Sequence, residues 1–195
     1  MARSAVITRQ TLETKITLKL NLDGQGVFSG ATGIGFFDHM LASLIKHSGF
    51  DLDLSCRGDL HIDEHHTVED VGICIGQAFN QTIGDGEGIN RFGYAYVPMD
   101  ESLARAVFDI CGRPHLTFDA VFSRSMIGNF STEMVREFFS AFVHHGRVTL
   151  HLNLLAGINA HHQIEAIFKS VARALRQAVA RDLNISGIPS TKGSL

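Results

Sequence analysis

The sequence predicts an α+β fold made of two similar halves, each a sheet covered on one face by helices, and three observations lead there. The first is an internal repeat. Residues 51–69, DLDLSCRGDLHIDEHHTVE, run in parallel with residues 149–165, TLHLNLLAGINAHHQIE: an alternating apolar segment, a Gly-containing bend, then His-His-x-x-Glu. The second copy is two residues shorter, and placing that deletion in the bend aligns His39, in FFDHMLASL, with Glu137, in VREFFSAF. The second observation is period-two alternation, which marks half-buried strands in TKITLKLNL of the first half and in RAVFDI and HLTFDAVF of the second. The third is helical spacing of apolar residues downstream of each motif.

Taken in order, Gly24-Gln25-Gly26 and Cys111-Gly112-Arg113-Pro114 supply turns between strands. The segments around His39 and Glu137 read as helices. After His65 the apolar positions Val68, Val71, Ile75, Ala78 and Phe79 share a helix face. After His161 the set is Ile164, Ile167, Phe168, Val171, Leu175 and Val179, with Lys169, Arg173 and Arg176 turned outward. Both motifs therefore begin helices, and each half reads as strands, helix, strand pair, helix. The expected organisation is one domain over 1–195 containing repeats 1–92 and 93–195. The junction DGEGINRFGYAYVPMDE is Gly-rich but too apolar for a flexible tether.

A chain of 195 residues can bury a sizeable core without disulfides or a metal staple. Charged residues are 19% of it and the formal net charge is −3, which points away from nucleic acid and from membrane surfaces and toward a small soluble substrate. No run approaches the roughly 20 apolar residues that span a bilayer, and the start, MARSAVITRQTLET, lacks the apolar core of a signal peptide. The expected compartment is cytoplasmic. Cys56, Cys74 and Cys111 form no close pair, which argues against a zinc-thiolate site and a disulfide framework; reduced core residues are expected.

Histidine is the compositional outlier, with eleven in the chain. On a helix, residues three or four apart share a face, so Glu69 stands beside His65 or His66 and Glu165 beside His161 or His162. Adjacent residues diverge by about 100° and rarely chelate one ion together. Two metals are the natural reading, each motif lending one histidine to each. The candidate ligands are His39, His65, His66, Glu69, Glu137, His161, His162 and Glu165, four per ion, leaving positions open on metals that accept six. His144 and His145 have no copy in the other half and read as surface residues; His151 reads as structural, and His61 and His115 carry no assignment. Iron, zinc and manganese all suit imidazole with carboxylate, softness alone favouring zinc or iron.

FFDHML, GDLHIDEHHTVEDVGICIG, GINRFG, PMDE, GINAHHQIEAIFKS and the terminal PSTKG together resemble the motifs of the imidazoleglycerol-phosphate dehydratase family. The resemblance implies an internally duplicated fold with a four-stranded sheet and helices in each half, like domain 2 of ribosomal protein S5. It also implies two Mn(II) ions per active site, with zinc or iron as alternatives, and a homo-oligomer of 24 subunits with sites at subunit interfaces. Carried over by position, the family's ligands fall on the eight residues named above, with one departure: Glu137 stands where well-known members carry histidine. A carboxylate there makes a harder site, more tolerant of manganese.

The implied reaction is loss of water from D-erythro-imidazole glycerol phosphate to give imidazole acetol phosphate, in histidine biosynthesis. Binding the substrate imidazole as imidazolate would push electrons toward the departing hydroxyl. Glu13, in QTLETKI, matches the family's acid/base, and His47, Arg91, Arg113, Lys169, Ser190 and Lys192 match its substrate-binding positions. The tail NISGIPSTKGSL is expected to close over bound phosphate. A dinuclear phosphohydrolase and a non-catalytic metal-binding shell protein are the competing readings.

Overall fold

The computed structural model describes residues 3–182, 184 and 187–195. The first half contains β1 (Ser4–Gln10), β2 (Thr14–Asn21), β3 (Phe28–Ala31), α1 (Gly35–Ser48), β4 (Asp51–Gly58) and α2 (His65–Ile83). The second contains β5 (Phe92–Met99), β6 (Ser102–Asp109), β7 (His115–Asp119), the short β8 (Met126–Ile127) and β9 (Phe130–Ser131), α3 (Met134–Gly146), β10 (Thr149–Ala156) and α4 (Ala160–Ala178).

The two four-stranded sheets have the same plan. Their orders are β1-β2-β4-β3 and β5-β6-β10-β7. In each, the first two pairings are antiparallel, and the last, β3 with β4 or β7 with β10, is parallel. The parallel pairs are joined through α1 and α3, because parallel neighbours need a crossover. This is the duplicated α+β architecture that the sequence predicts. The hairpin β8–β9 has no counterpart in the first half.

Where the sequence pattern predicts a strand pair between the helices of each half, the structure has a single strand. β4 and β10 are eight residues each, and the chain then passes through the bend to the histidines, over residues 59–64 in one half and 157–160 in the other. The two-residue difference therefore lies in the bend. GDLHID does not pair because Leu60 and Ile62 are exposed and the chain turns back on itself, the Ile62 N–H donating to the Asp59 carbonyl at 2.8 Å.

Alternation decides which face of each sheet is covered. Ile16, Leu18 and Leu20 of β2 and Ala104, Ala106 and Phe108 of β6 point into the core, while the residues between them face out. α2 lies on β1 and β2; α4 lies on β5 and β6. The remaining two helices cross over: α1 packs beside α4, and α3 beside α2. Each half thus lends its first helix to the other half's second. Gly72 and Gly76 of α2 permit that approach, since an added Cβ would come within 2.8 Å of the Phe138 carbonyl oxygen and 2.6 Å of that of Phe142. Phe37 of α1, Phe138 of α3 and Phe168 of α4 fill the junction, Phe138 meeting Phe37 edge-on at 5.3 Å and stacking on Phe168 at 5.5 Å. No helix among the described residues is long and apolar enough to cross a membrane.

Candidate metal centre

The pairing of α1 with α4 creates a cluster at their N-terminal ends. α4 starts where it does because the Asn159 side chain accepts the N–H groups of His161 at 2.9 Å and His162 at 3.5 Å. That start places His161 and Glu165 on one face, four residues apart, with His161 Nε2 3.1 Å from Glu165 Oε2. α1 is anchored by Asp38, whose carboxylate accepts from the backbone N–H and hydroxyl of Thr32, both at 2.7 Å. One residue on, His39 reaches across so that its Nε2 lies 3.3 Å from the same Glu165 oxygen. Ligand atoms of His39, His161 and Glu165 all lie within 4.8 Å of one another.

This set fits a divalent cation. Separations of 3.1 and 3.3 Å match the edge of a coordination polyhedron with bonds of about 2.1 Å, which is about 3.0–3.4 Å. Two imidazoles and one carboxylate suit zinc, iron or manganese. Glu165 is only 7% exposed, and its other oxygen takes the Lys169 ammonium at 2.7 Å. Burial by itself raises the Glu165 carboxyl, but Lys169 and His39 outweigh it and hold the group below its ordinary value, so it is an anion at neutral pH. Phe36 walls the cluster, its ring 5.1 Å from that of His161. The cysteines are elsewhere; burial pushes Cys56 up to about 11 and Cys74 to about 12, so neither offers a thiolate.

By the internal repeat, the counterparts of His39, His161 and Glu165 are Glu137, His65 and Glu69. Their helices do meet, and the Ser131 N–H donates to Glu64 Oε1 at 2.7 Å where α3 approaches the start of α2. The ligand atoms do not converge as in the first set. His65 Nε2 and Glu69 Oε2 are 4.0 Å apart and both side chains are about half exposed. Glu137, on the first turn of α3, lines a cleft of about 700 Å³ with Arg124, Ser125, Thr132, Glu133 and Arg136. The chain on either side of the β8–β9 hairpin lines that cleft, and so gives Glu137 surroundings that His39 lacks.

The second histidine of each motif points away from its neighbour, as the helical turn requires: the rings of His65 and His66 stand at 79°, those of His161 and His162 at 81°. His66 Nδ1 is 3.0 Å from Asp59 Oδ2, and its Nε2 is 3.6 Å from Glu13 Oε1. His162 Nδ1 is 2.8 Å from Glu101 Oε2, and its Nε2 is 3.9 Å from Asp100 Oδ2. Hydrogen bonding to Asp59 raises the pKa of His66, and hydrogen bonding to Glu101 raises that of His162. Glu101 also accepts the N–H groups of Asn159 and Ile158, and the Asn159 bond leads in holding its carboxyl far below the usual range. Asp59 and Glu101 carry no role in the sequence reading. PMDE is visible as a motif, but a partner 61 residues from His162 has no local signature.

Of the anticipated substrate residues, His47 and Lys169 lie on the same α1–α4 seam as the cluster. Burial lowers the His47 imidazole, with Lys169 and Arg173 adding to it. Arg91 is held elsewhere: its Nε donates to Asp109 at 2.7 Å and its Nη1 to the Pro189 carbonyl at 2.9 Å, which ties it to the tail. Arg113 donates to the Cys111 carbonyl at 3.3 Å. In the tail the Ser190 hydroxyl accepts the Lys192 N–H at 3.2 Å, while Ile185 and Ser186 lie outside the described residues. Glu13 sits in the turn between β1 and β2, where the Thr11 hydroxyl accepts its N–H at 3.1 Å.

A buried carboxylate flanked by two imidazoles, on a duplicated α+β scaffold with paired helices from both halves, is a donor set of the kind metal-dependent enzymes use. The sequence profile of the imidazoleglycerol-phosphate dehydratase family matches residues 32–175. The imidazoleglycerol-phosphate dehydratase of Aminomonas aminovorus is 56% identical over 99% of this chain and 100% of its own length, and that of Methylobacillus flagellatus 55% identical over 99% and 98%. The crystal structure of the Staphylococcus aureus enzyme is similar, with a TM-score of 0.84 at 42% identity over 92% of this chain and 99% of that one. That of the Pyrococcus furiosus enzyme has the same TM-score at 32% identity, over 97% and 100%. The chain belongs to the imidazoleglycerol-phosphate dehydratase family. This family is metal-dependent, and membership decides against the phosphohydrolase and shell-protein readings.

Proposed function

We propose that the chain performs its family's reaction, loss of water from imidazole glycerol phosphate in histidine biosynthesis, at a dinuclear manganese site completed between subunits. The activity is that of a carbon–oxygen lyase acting in the cytoplasm. The observation that carries the metal reading is the convergence of His39, His161 and Glu165 on one point. One ion belongs there. A second belongs with Glu137, His65 and Glu69, the repeat-related set on the paired helices α3 and α2. His66 and His162 are left over in both counts, and each turns away from the histidine beside it. Each serves a centre formed with another copy of the chain, which brings four ligands to each ion. Bound metal would supply Lewis acidity, holding the substrate imidazole as its anion.

A homo-oligomer, the family's 24-mer, supplies the partner copies. Phe92, Tyr94 and Tyr96 alternate outward along β5, and Val107 pairs opposite Tyr94, so one sheet face carries a continuous exposed apolar strip. Such a strip is what a subunit contact covers. The repeats are assigned to 1–92 and 93–195, the second beginning within β5. His47, Arg91, Arg113, Lys169, Ser190 and Lys192 provide cations and hydroxyl for the phosphate, and the tail folds over it. Glu13, half exposed beside His66 Nε2, takes the proton from the substrate carbon.

The test is turnover by the stripped protein after manganese, zinc or iron is returned singly, with bound metal counted. Restoration at about two ions per chain supports the dinuclear reading; one ion per chain at full rate removes it. Glu13→Gln is expected to lower kcat by roughly 10²–10⁴-fold with metal content unchanged. Full turnover in that variant would take the proton-transfer role away from Glu13. Glu137→Ala is expected to lose one of the two ions and most activity, and unaltered metal content and rate would exclude Glu137 as a ligand.

A further inference from the structure

The turns β1–β2 and β5–β6 occupy equivalent places in the two sheets, and each sends a carboxylate to the second histidine of the motif in its own half. Glu13 of the first turn approaches His66 at Nε2, 3.6 Å away. The second turn reaches both ring nitrogens of His162: the exposed Asp100 lies 3.9 Å from Nε2, and Glu101 approaches Nδ1 at 2.8 Å. In the first half the Nδ1 position is taken instead by Asp59, from the bend after β4. The second half has the shorter bend, residues 157–160, which holds no carboxylate. The two imidazoles are thus held in the same sense, through Nδ1, by carboxylates of unrelated origin. A carboxylate on Nδ1 fixes the proton there and leaves the Nε2 lone pair outward.

We propose that Asp59 and Glu101 are positioning residues that lock His66 and His162 in the Nδ1–H tautomer, so that each presents Nε2 as a metal ligand. The assignment rests on the reading of these two histidines as ligands. It also accounts for the division of labour between the turns: with Asp59 present, the β1–β2 turn is free to bring Glu13 to the reacting side. Without a counterpart of Asp59, the β5–β6 turn supplies the orienting group itself.

The two sites make different demands on a neutral amide. Glu101 Oε1 accepts from Ile158 N–H at 3.1 Å and Asn159 N–H at 2.8 Å. In Glu101→Gln those two donors retain the amide oxygen, so the NH₂ faces His162 Nδ1 and enforces the opposite tautomer. The Asp59 side chain is hydrogen-bonded only to His66 among the described residues, so in Asp59→Asn the amide rotates and keeps its oxygen on Nδ1.

The experiment is manganese titration of the stripped oligomer, followed by electron paramagnetic resonance, on Glu101→Gln, Asp59→Asn, Asp59→Ala and His162→Ala. Melting of each metal-free variant is measured alongside. Glu101→Gln and Asp59→Ala are expected to weaken one class of bound manganese by about 10–100-fold while melting like the parent. Asp59→Asn is expected to stay within a few-fold of it. Wild-type manganese binding by Glu101→Gln, or equal losses in Asp59→Asn and Asp59→Ala, would overturn the tautomer assignment. Retention of all metal by His162→Ala would instead overturn the ligand reading beneath it.

Discussion

Glu165→Ala is expected to abolish one metal site and to lower kcat/KM by roughly 10³-fold or more, about 4 kcal/mol of transition-state stabilisation. The size follows from what meets at this carboxylate. One oxygen lies within 3.3 Å of both His39 Nε2 and His161 Nε2, and the other takes Lys169. Truncation removes the only anion of the cluster and leaves an ammonium beside two imidazoles, which repels a cation instead of holding it. The loss also releases Lys169, a substrate-binding candidate, from its fixed place on the seam. Metal per chain and steady-state rates measured together check this. A variant that keeps all of its metal and more than a tenth of the parental kcat/KM would move the metal site away from α4.

Phe138→Ala is expected to cost about 3–5 kcal/mol of stability. At about 2–4 °C per kcal/mol for a chain of this size, the metal-free protein should melt roughly 6–20 °C lower. Phe138 is 1% exposed and touches aromatic rings from α1 and α4 as well as its own helix. Its removal opens a cavity where the crossed helix pairs meet, and close-packed surroundings relax only in part. Because Glu137 is the preceding residue and His39 lies two after Phe37, the same change should loosen both ligand sets. Metal affinity is therefore expected to fall with stability. A shift below 3 °C would show that Phe37 and Phe168 close over the gap.

Several features were legible in the chain because they are local and repeated. HHxxE at helix starts, the alternation in β2 and β6, and the helical stripes after His65 and His161 depend on neighbours within a few residues, and periodicity reports such relations directly. The resemblance carried by FFDHML and the two histidine motifs named the family that the comparisons show. The strand pair anticipated in each half is a single strand, because the segment after β4 turns back toward the helix start without pairing. Leu60 and Ile62 face outward instead.

By itself, then, the sequence determined the duplication, the main helices and strands and the His-His-x-x-Glu motifs at the helix starts, since each is written in spacing and residue identity. Only the tertiary structure decided which side chains of the two halves come together. His39 joins His161 and Glu165 because α1 crosses to α4. Likewise Glu101 reaches His162 because a turn of the sheet comes to lie beside the start of that helix. Both partnerships span more than 60 residues and are imposed by how the elements pack, for which no residue pattern along the chain is a record.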